Sequence, residues 1–212
     1  MSLLRLEAIV VGDEPDDWEA AGFTVDGSRI DIGDITVECL GDGSRPRWRL
    51  SGEDGLPDSI DGLSTQIGAS VSSTAVPPHR NEAVDIDHVV LASPDLDRTT
   101  EAFAALGVEC RRIREVPGSD PAMQQRFFRL GGVILELVGA AEPTGDGPMS
   151  IWGLACNVAD IDAAAQRLGP ACGAPKDAVQ PGRRIATVRT RDLGISLPIA
   201  LMTPDPRHAA RS

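Results

Sequence analysis

Apolar residues along this chain fall into short strand-like runs that alternate with helices carrying one apolar stripe. The clearest set occupies residues 84–139, where the apolar run Ile86 to Ala92 precedes a helical spacing that ends at Gly107. Ser93 is predicted to cap that helix, because its hydroxyl can accept a hydrogen bond from the first turn. Three further strands follow, at Val108 to Arg114, Gln125 to Leu130 and Val133 to Val138. The pattern predicts a β-α-β-β-β module.

Residues 150–202 repeat this plan in a shorter form. The strand Gly153 to Val158 aligns without a gap on the strand that begins at His88, and Asp160 is the predicted cap of the helix that follows. Later strands are predicted at Ile185 to Arg189 and Ile195 to Met202. In this alignment Gly153 occupies the position of His88.

The N-terminal residues 1–41 are predicted to form a partial β-α-β module. The run Ile35 to Gly41 echoes Val133 to Gly139, with Glu at the fourth place and Gly at the seventh in both. Residues 42–83 are rich in Gly, Ser, Asp and Pro, so they are interpreted as a connector with one or two short strands. Residues 203–212 are interpreted as a flexible tail.

Composition restricts the function classes. The 212 residues are 42% hydrophobic and carry a formal net charge of -12. Such a charge repels phosphate backbones, which argues against a nucleic-acid partner, and no apolar run has the length of a membrane span. The four cysteines show no CxxC spacing and are interpreted as reduced, mostly buried thiols. We therefore expect a cytoplasmic protein.

Two residues stand out as candidates for chemistry. Glu136 lies within the apolar run Ile-Leu-Glu-Leu-Val, where an unpaired buried charge would cost several kcal/mol. It must therefore meet a cation, a metal or a hydrogen-bond donor, or else hold its proton. The alternative is a structural ion pair with an arginine. His88 is taken either as a ligand or as a satisfied core histidine, whereas His79 and His208 are expected to be solvated.

The motif Asp-His-Val-Val-Leu-Ala-Ser-Pro-Asp-Leu-Asp, with the later Phe-Phe-Arg-Leu-Gly-Gly-Val-Ile-Leu-Glu-Leu-Val, resembles the vicinal oxygen chelate superfamily. That superfamily includes glyoxalase I, extradiol dioxygenases and bleomycin-resistance proteins. The resemblance implies an α+β fold of paired β-α-β-β-β modules that form a cup-shaped half-barrel, here with the partial extra module in front. It also implies a divalent metal (Zn, Ni, Fe, Mn or Mg) held by the opening and closing strands of each module. His88 and Glu136 match the two metal ligands of the first module.

The second module departs from that ligand pattern. Gly153 replaces the opening His, and the closing strand between 193 and 204 contains no ionisable side chain. Two of the four expected ligands are therefore absent, and a metal held by one His and one Glu would be weakly retained. Replacement ligands are sought in Glu7, Glu38 and His79.

Other residues are candidates for binding a ligand in the cup. Trp152 precedes the altered position and either packs in the core or stacks on a ligand. Gln125, Arg183 and Arg184 are the polar candidates, and because adjacent arginines on a strand point to opposite faces, only one of this pair can face the cup. That arginine would clamp an anion, pair with Glu136, or remain a surface charge.

Three functions follow as hypotheses. The first is a glyoxalase-like protein with a degenerate metal site that binds a small, anionic or oxygen-rich molecule, with Glu136 and His88 as the catalytic pair if it is an enzyme. The second is a metal-dependent lyase, isomerase or dioxygenase with unconventional ligands. The third is a non-catalytic structural or interaction module. An odd number of modules would leave one sheet edge open, which favours a homodimer.

Overall fold

The computed structural model describes residues 4–52, 55–68 and 78–206. His208, the end of the predicted tail and part of the predicted connector lie outside these residues. The three α-helices in the described part are α1 (Pro15–Ala20), α2 (Leu96–Ala105) and α3 (Ile161–Leu168). The strands before the first complete module are β1 (Arg5–Val11), β2 (Arg29–Ile32), β3 (Ile35–Cys39), β4 (Arg47–Ser51), β5 (Ser59–Ile60) and β6 (Leu63–Ile67). The later strands are β7 (Ala83–Ala92), β8 (Arg112–Val116), β9 (Met123–Leu130), β10 (Val133–Ala140), β11 (Ser150–Val158), β12 (Lys176–Asp177), β13 (Arg184–Val188) and β14 (Ile199–Met202).

Eight of these strands form one sheet that contains both predicted complete modules. The strand order is β12-β13-β14-β11-β7-β10-β9-β8, so the first strand of each module lies beside its last strand. In the first module β10 runs parallel to β7, with Ile134 opposite His88, and β9 runs antiparallel to β10. In the second, β14 runs parallel to β11. The fold is therefore α+β, as predicted.

The other six strands repeat this plan with shorter modules. Their order is β2-β3-β1-β4-β6-β5, in which β1 and β4 occupy the places of the two opening strands. The helix-containing segment β1-α1-β2-β3 is the partial module expected at the N-terminus. The segment β4-β5-β6 is a second truncated module, with β4 parallel to β6 and no helix in the described residues between them.

Residues 42–83 were predicted to be a connector with one or two short strands. In the structure this segment instead supplies three strands to a sheet. Its polar composition conceals short strands whose alternate residues are buried, such as Trp48 and Leu50 in β4. With this segment the described chain has four modules, two complete and two truncated. The homodimer expectation rested on an odd number of modules, and that reason no longer applies.

Contacts divide the described chain into two compact units. The first unit comprises residues 4–9, 46–52, 55–68 and 88–152, and the second comprises residues 10–45, 78–87 and 153–206. Each unit thus contains mainly one truncated and one complete module.

Each unit has its own aromatic core. In the first, the ring of Phe103 on α2 lies 6.3 Å from Trp48 and 4.9 Å from Phe128. In the second, Phe23 lies 5.3 Å from Trp18 on α1 and 5.5 Å from His79. Burying such large rings provides much of the hydrophobic stabilisation of each unit.

Local signals explain the helix boundaries. The Asp160 side chain accepts hydrogen bonds from the first turn of α3, as predicted. For α2 the predicted cap was wrong. Asp95, not Ser93, caps the helix by accepting from the Arg98 amide at 2.9 Å, while the Ser93 hydroxyl accepts from the Asp95 amide at 3.1 Å. Both residue types cap well, so the choice depends on where the chain turns.

None of the three helices has the length and apolar character to cross a bilayer.

Two strands begin later than predicted, for identifiable reasons. The Val108 amide still bonds to the Phe103 carbonyl at the end of α2, so the next strand starts only at Arg112. In the second module Pro198 has no amide hydrogen to donate to a sheet, and β14 begins directly after it.

Candidate functional site

His88 lies in β7 at a point where the alternation of buried residues shifts by one position. The buried residues of this strand are Ala83, Ile86, Val89 and Leu91, and Ile86 does not share the parity of the others. A simple alternating strand would place His88 on the same face as Ile86, as the sequence analysis assumed. The shift leaves both Asp87 and His88 incompletely buried.

The structure brings His88 and Glu136 together within the first unit. The Nε2 atom of His88 lies 3.4 Å from the Oε2 atom of Glu136, and their side chains are 13% and 14% exposed. This separation is within ion-pair range but longer than a typical hydrogen bond of about 2.9 Å. The parallel pairing of β7 and β10 produces the approach, because it sets Glu136 opposite Val90, two residues beyond His88.

Gln125 completes this cluster from β9. Its side-chain nitrogen donates to the Oε1 atom of Glu136 at 2.6 Å. The amide oxygen of Gln125 is buried and accepts no hydrogen bond from any described residue. Buried acceptors in folded proteins are nearly always satisfied, so this oxygen is suited to receive a donor from a bound molecule or water. We name His88, Glu136 and Gln125 the dyad cluster.

Arg183 and Arg184 have carboxylate partners in the second unit. Arg183 is only 5% exposed, and its Nη2 atom lies 2.8 Å from Asp87 Oδ1 and donates to Asn157 Oδ1 at 2.8 Å. Arg184 forms an exposed ion pair with Asp162 of α3 at 2.6 Å. The two arginines therefore have different partners, with Arg184 at the first position of β13 and Arg183 just before it. In both cases the positive charge is already balanced by an aspartate.

The buried network around Arg183 was missed by the sequence analysis. Asn157 links Arg183 to a second acid, because its amide nitrogen donates to Asp85 Oδ1 at 2.6 Å. The available signal was the alternation of acids in Asp85-Ile86-Asp87 at the start of an otherwise apolar strand. We interpret an arginine buried with a carboxylate and an amide as structural, because removing one partner would leave an uncompensated charge in the interior.

Trp152 does not pack in a core. It is 54% exposed at the start of β11, which contradicts the interpretation that it is a buried packing residue. A role in stacking on a ligand stays a prediction.

Gly153 occupies the position where the family pattern would have a histidine, and its surroundings explain the glycine. A Cβ atom at this position would lie 2.7 Å from the carbonyl oxygen of Pro198. The Leu154 amide donates to that same carbonyl at 2.9 Å. The close approach of the closing strand therefore leaves no room for a side chain.

The described residues do not assemble a metal centre with three or more ionisable protein ligands. In the described stretches, no group of three or more His, Cys, Asp or Glu side chains lies close enough to hold a metal ion. The dyad cluster supplies one imidazole and one carboxylate, whereas catalytic metal sites usually have at least three protein ligands.

The proposed replacement ligands are engaged elsewhere. His79 was expected to be solvated, yet it is 5% exposed. Its Nδ1 atom accepts from the Thr24 amide at 2.9 Å, and its Nε2 atom lies 2.9 Å from the Asp31 carbonyl oxygen, so neither nitrogen is left for a metal. Glu7 accepts a hydrogen bond from Ser51. Glu38 lies on β3 opposite Arg29.

Part of the sequence matches a known protein family, and the fold resembles that of solved structures. Residues 87–187 match the family model described as the Glyoxalase/Bleomycin resistance protein/Dioxygenase superfamily. No curated protein sequence matches the chain. Among solved structures, a methylmalonyl-CoA epimerase from Mycobacterium tuberculosis is 24% identical over 61% of this chain and 93% of its own, with a TM-score of 0.46.

A second solved structure is similar over nearly the whole chain. A mutant 4-hydroxymandelate synthase from Streptomyces coelicolor is 12% identical, covers 97% of this chain and 93% of its own, and has a TM-score of 0.63. At this identity the likeness concerns the fold alone, and it extends over all four modules. Residues 87–187 are thus assigned to the glyoxalase, bleomycin-resistance protein and dioxygenase superfamily, and the chain as a whole has the vicinal oxygen chelate type of fold.

Proposed function

We propose that the first unit binds a small, oxygen-rich molecule at the dyad cluster and that His88 and Glu136 transfer a proton on it. The observation that carries this proposal is the 3.4 Å approach of the His88 imidazole to the Glu136 carboxylate on a mostly buried sheet face. Such a pair places a carboxylate, which can accept a proton, beside an imidazole, whose ring nitrogens can donate or accept one.

Each member of the cluster has a distinct part in this proposal. Glu136 is the proton acceptor, because a carboxylate beside a carbon next to a carbonyl group can remove its proton. His88 lies against the same carboxylate and, when protonated, stabilises its charge. Gln125 orients Glu136 through its 2.6 Å hydrogen bond. The amide oxygen of Gln125 offers an acceptor to a hydroxyl group of the ligand.

The proposal involves no metal step. Two protein ligands are fewer than the three that hold a catalytic metal firmly, so the site is inferred to be a degenerate version of the family's metal site. Metal analysis of protein purified without chelators checks this point. We expect substoichiometric Zn, Ni, Fe, Mn and Mg. Stoichiometric metal that is lost on His88→Ala would replace this proposal with the metal-dependent alternative.

Proton transfer is tested by deuterium incorporation. In D2O, the protein is expected to accelerate exchange of the methyl protons of pyruvate or methylglyoxal, as followed by proton NMR. Glu136→Gln removes the acceptor and should lower the exchange rate by at least about tenfold. Glu115→Gln is the matched control, because Glu115 lies on β8, two strands away from Glu136, and accepts a hydrogen bond from Gln124.

Binding provides a separate measurement. A ligand that binds the folded state raises the melting temperature by mass action. We expect Glu136→Gln and His88→Asn to reduce such shifts while leaving the circular dichroism spectrum unchanged. Equal shifts in the wild type and in both variants would mean that the ligand binds elsewhere.

A further inference from the structure

One face of the first unit carries a continuous row of side chains that begins at the dyad cluster. Val90 on β7 is opposite Glu136 on β10, Glu136 is opposite Phe127 on β9, and Phe127 is opposite Arg112 on β8. Residues directly opposite each other on neighbouring strands share a sheet face. Glu136, Phe127 and Arg112 therefore lie on one face.

A second row runs beside the first. Val138 on β10 is opposite Gln125 on β9, and Gln125 is opposite Arg114 on β8. The dyad cluster thus has two arginines on its own face, at the outer strand of the sheet. Neighbouring strands are about 4.8 Å apart, which places the backbone of Arg112 about 10 Å from that of Glu136.

The charge on this face contrasts with that of the whole protein. The chain carries a net charge of -12, yet the residues of this face on β8, β9 and β10 include Arg112, Arg114 and Arg129 against the single acid Glu136. Arg129 donates to the Gly132 carbonyl in the hairpin turn at 2.8 Å. Among the described residues, the guanidinium groups of Arg112 and Arg114 form no hydrogen bond or ion pair.

The guanidinium group of Arg112 lies over the ring of Phe127. The guanidinium carbon of Arg112 lies 5.9 Å from the centre of the Phe127 ring, a cation-π contact. A guanidinium that packs on an aromatic face keeps its N–H donors in its own plane, where they can bind a carboxylate with two parallel hydrogen bonds. The contact therefore orients a cation without neutralising it.

We propose that Arg112 and Arg114 form a carboxylate-binding subsite for the molecule that reacts at the dyad cluster. This inference rests on the proposed function and deepens it by naming the substrate class: a small organic carboxylate, such as a 2-oxo acid or an aromatic acid. The spacing suits a short ligand, whose carboxylate reaches the arginines while its reacting carbon lies at Glu136. Aspartates leave the other candidate arginines, Arg183 and Arg184, already neutralised.

The test compares acids with their uncharged esters. Binding of pyruvate and benzoate, and of methyl pyruvate and methyl benzoate, is measured by NMR titration of the wild-type protein. Resonances of the Phe127 ring and the Gln125 side-chain amide report on the site. We expect at least one acid to bind tenfold or more tightly than its ester. Inorganic phosphate forms a separate arm, which distinguishes a carboxylate subsite from a general anion site.

Variants then assign the preference to specific side chains. Arg112→Gln is expected to weaken binding of the acid about tenfold or more and to leave binding of the ester unchanged, so that the preference disappears. Arg114→Gln should act in the same direction. Phe127→Leu keeps an apolar side chain but removes the ring, and a smaller loss of the preference is expected. Arg111→Gln, at an exposed residue outside both rows, is the matched control.

Three outcomes would overturn the subsite. These are failure of both acids to bind, equal binding of acid and ester for both pairs, or an unchanged preference in Arg112→Gln. Tighter binding of phosphate than of either acid would overturn the assignment to carboxylates. The proposed function is tested separately by Glu136→Gln. If that variant abolishes deuterium exchange while Arg112→Gln changes nothing, the dyad proposal stands and the subsite does not.

Discussion

At the scale of single residues, close approach decides what can occupy a position. Gly153 is a glycine because a Cβ atom there would lie 2.7 Å from the Pro198 carbonyl oxygen. The packing of the closing strand thus excludes a side chain at this position. At Glu136, by contrast, the neighbouring side chains favour a carboxylate, because His88 and Gln125 both contact it.

Gly153→Ala is expected to destabilise the protein by about 1–3 kcal/mol, because the added methyl group forces a backbone shift in a packed sheet. Urea unfolding measures the change. Gly132→Ala is the control, since nothing lies within 4 Å of a Cβ atom built there. If both variants unfold at the same urea concentration, the close approach to Pro198 is not what excludes a side chain.

The four thiols should differ sharply in reactivity. Desolvation raises the pKa of Cys156 to about 12, and desolvation together with Asp13, Asp17 and Glu14 raises the pKa of Cys39 to about 12. Burial also raises the pKa of Cys172. The thiolate is the reactive form, so only the partly exposed Cys110 should react rapidly with Ellman's reagent at pH 7.5. Rapid reaction of two or more thiols would contradict this.

At the scale of elements, the local sequence sets the type of structure and tertiary contacts set its limits. The helix α3 has its predicted cap at Asp160 and ends at Gly169, whose φ is +52°. The helix α2 was predicted equally well in position, but its cap moved from Ser93 to Asp95. Both residues could cap, and the bend of the chain after β7 selected one of them.

Asp160→Ala is expected to cost about 1 kcal/mol of stability, because two amides at the start of α3 lose their acceptor. Asp160→Asn is the matched control, since asparagine caps about as well. Thermal or urea unfolding compares the two. A loss of equal size in Asp160→Asn would indicate that the negative charge, and not the cap, supplies the stabilisation.

At the scale of the whole molecule, one strand plan is used four times. In each complete module the opening strand pairs with the closing strand, and the truncated modules repeat this pairing with fewer elements. Segments distant in sequence are held to them by polar contacts. His79, for example, bonds to the Thr24 amide and the Asp31 carbonyl within the second unit.

His79 makes the stability of the protein dependent on pH. Desolvation lowers the pKa of this buried imidazole, against the opposing effects of the hydrogen bond to Asp31 and of its charge. Protonation would also put a second N–H against the Thr24 amide. The unfolded chain, with a histidine pKa of about 6.5, binds the proton more readily. The contribution of His79 is therefore fully present above about pH 6.5 and is lost as the pH falls towards the folded-state pKa.

Urea unfolding at pH 7.5 and pH 5.5 measures this dependence. The wild-type protein is expected to lose stability at the lower pH, and His79→Gln should lose less, because glutamine can accept and donate without titrating. The difference between the two proteins isolates His79 from the other titrating groups. An identical pH dependence in wild type and variant would contradict the assignment.

The sequence by itself determined the two complete modules, their helices and the identity of His88 and Glu136 as candidates. These follow from apolar periodicity, caps and glycines, which act over a few residues. Residues 47–67 were predicted to contain one or two short strands, whereas the structure has three, because a mostly polar composition makes alternate buried positions hard to recognise.

Only the tertiary structure decided which side chains meet. Strand pairing places Phe127 and Arg112 in a row with Glu136. Tertiary packing also allows Gln125 to donate a hydrogen bond to Glu136 and Arg183 to form an ion pair with Asp87. Hydrophobic periodicity also could not predict the shift of buried positions in β7, because that method assumes a regular alternation along the strand. Pairing joins residues far apart in the chain, and its register depends on the packing of the whole sheet, so no local pattern specifies it.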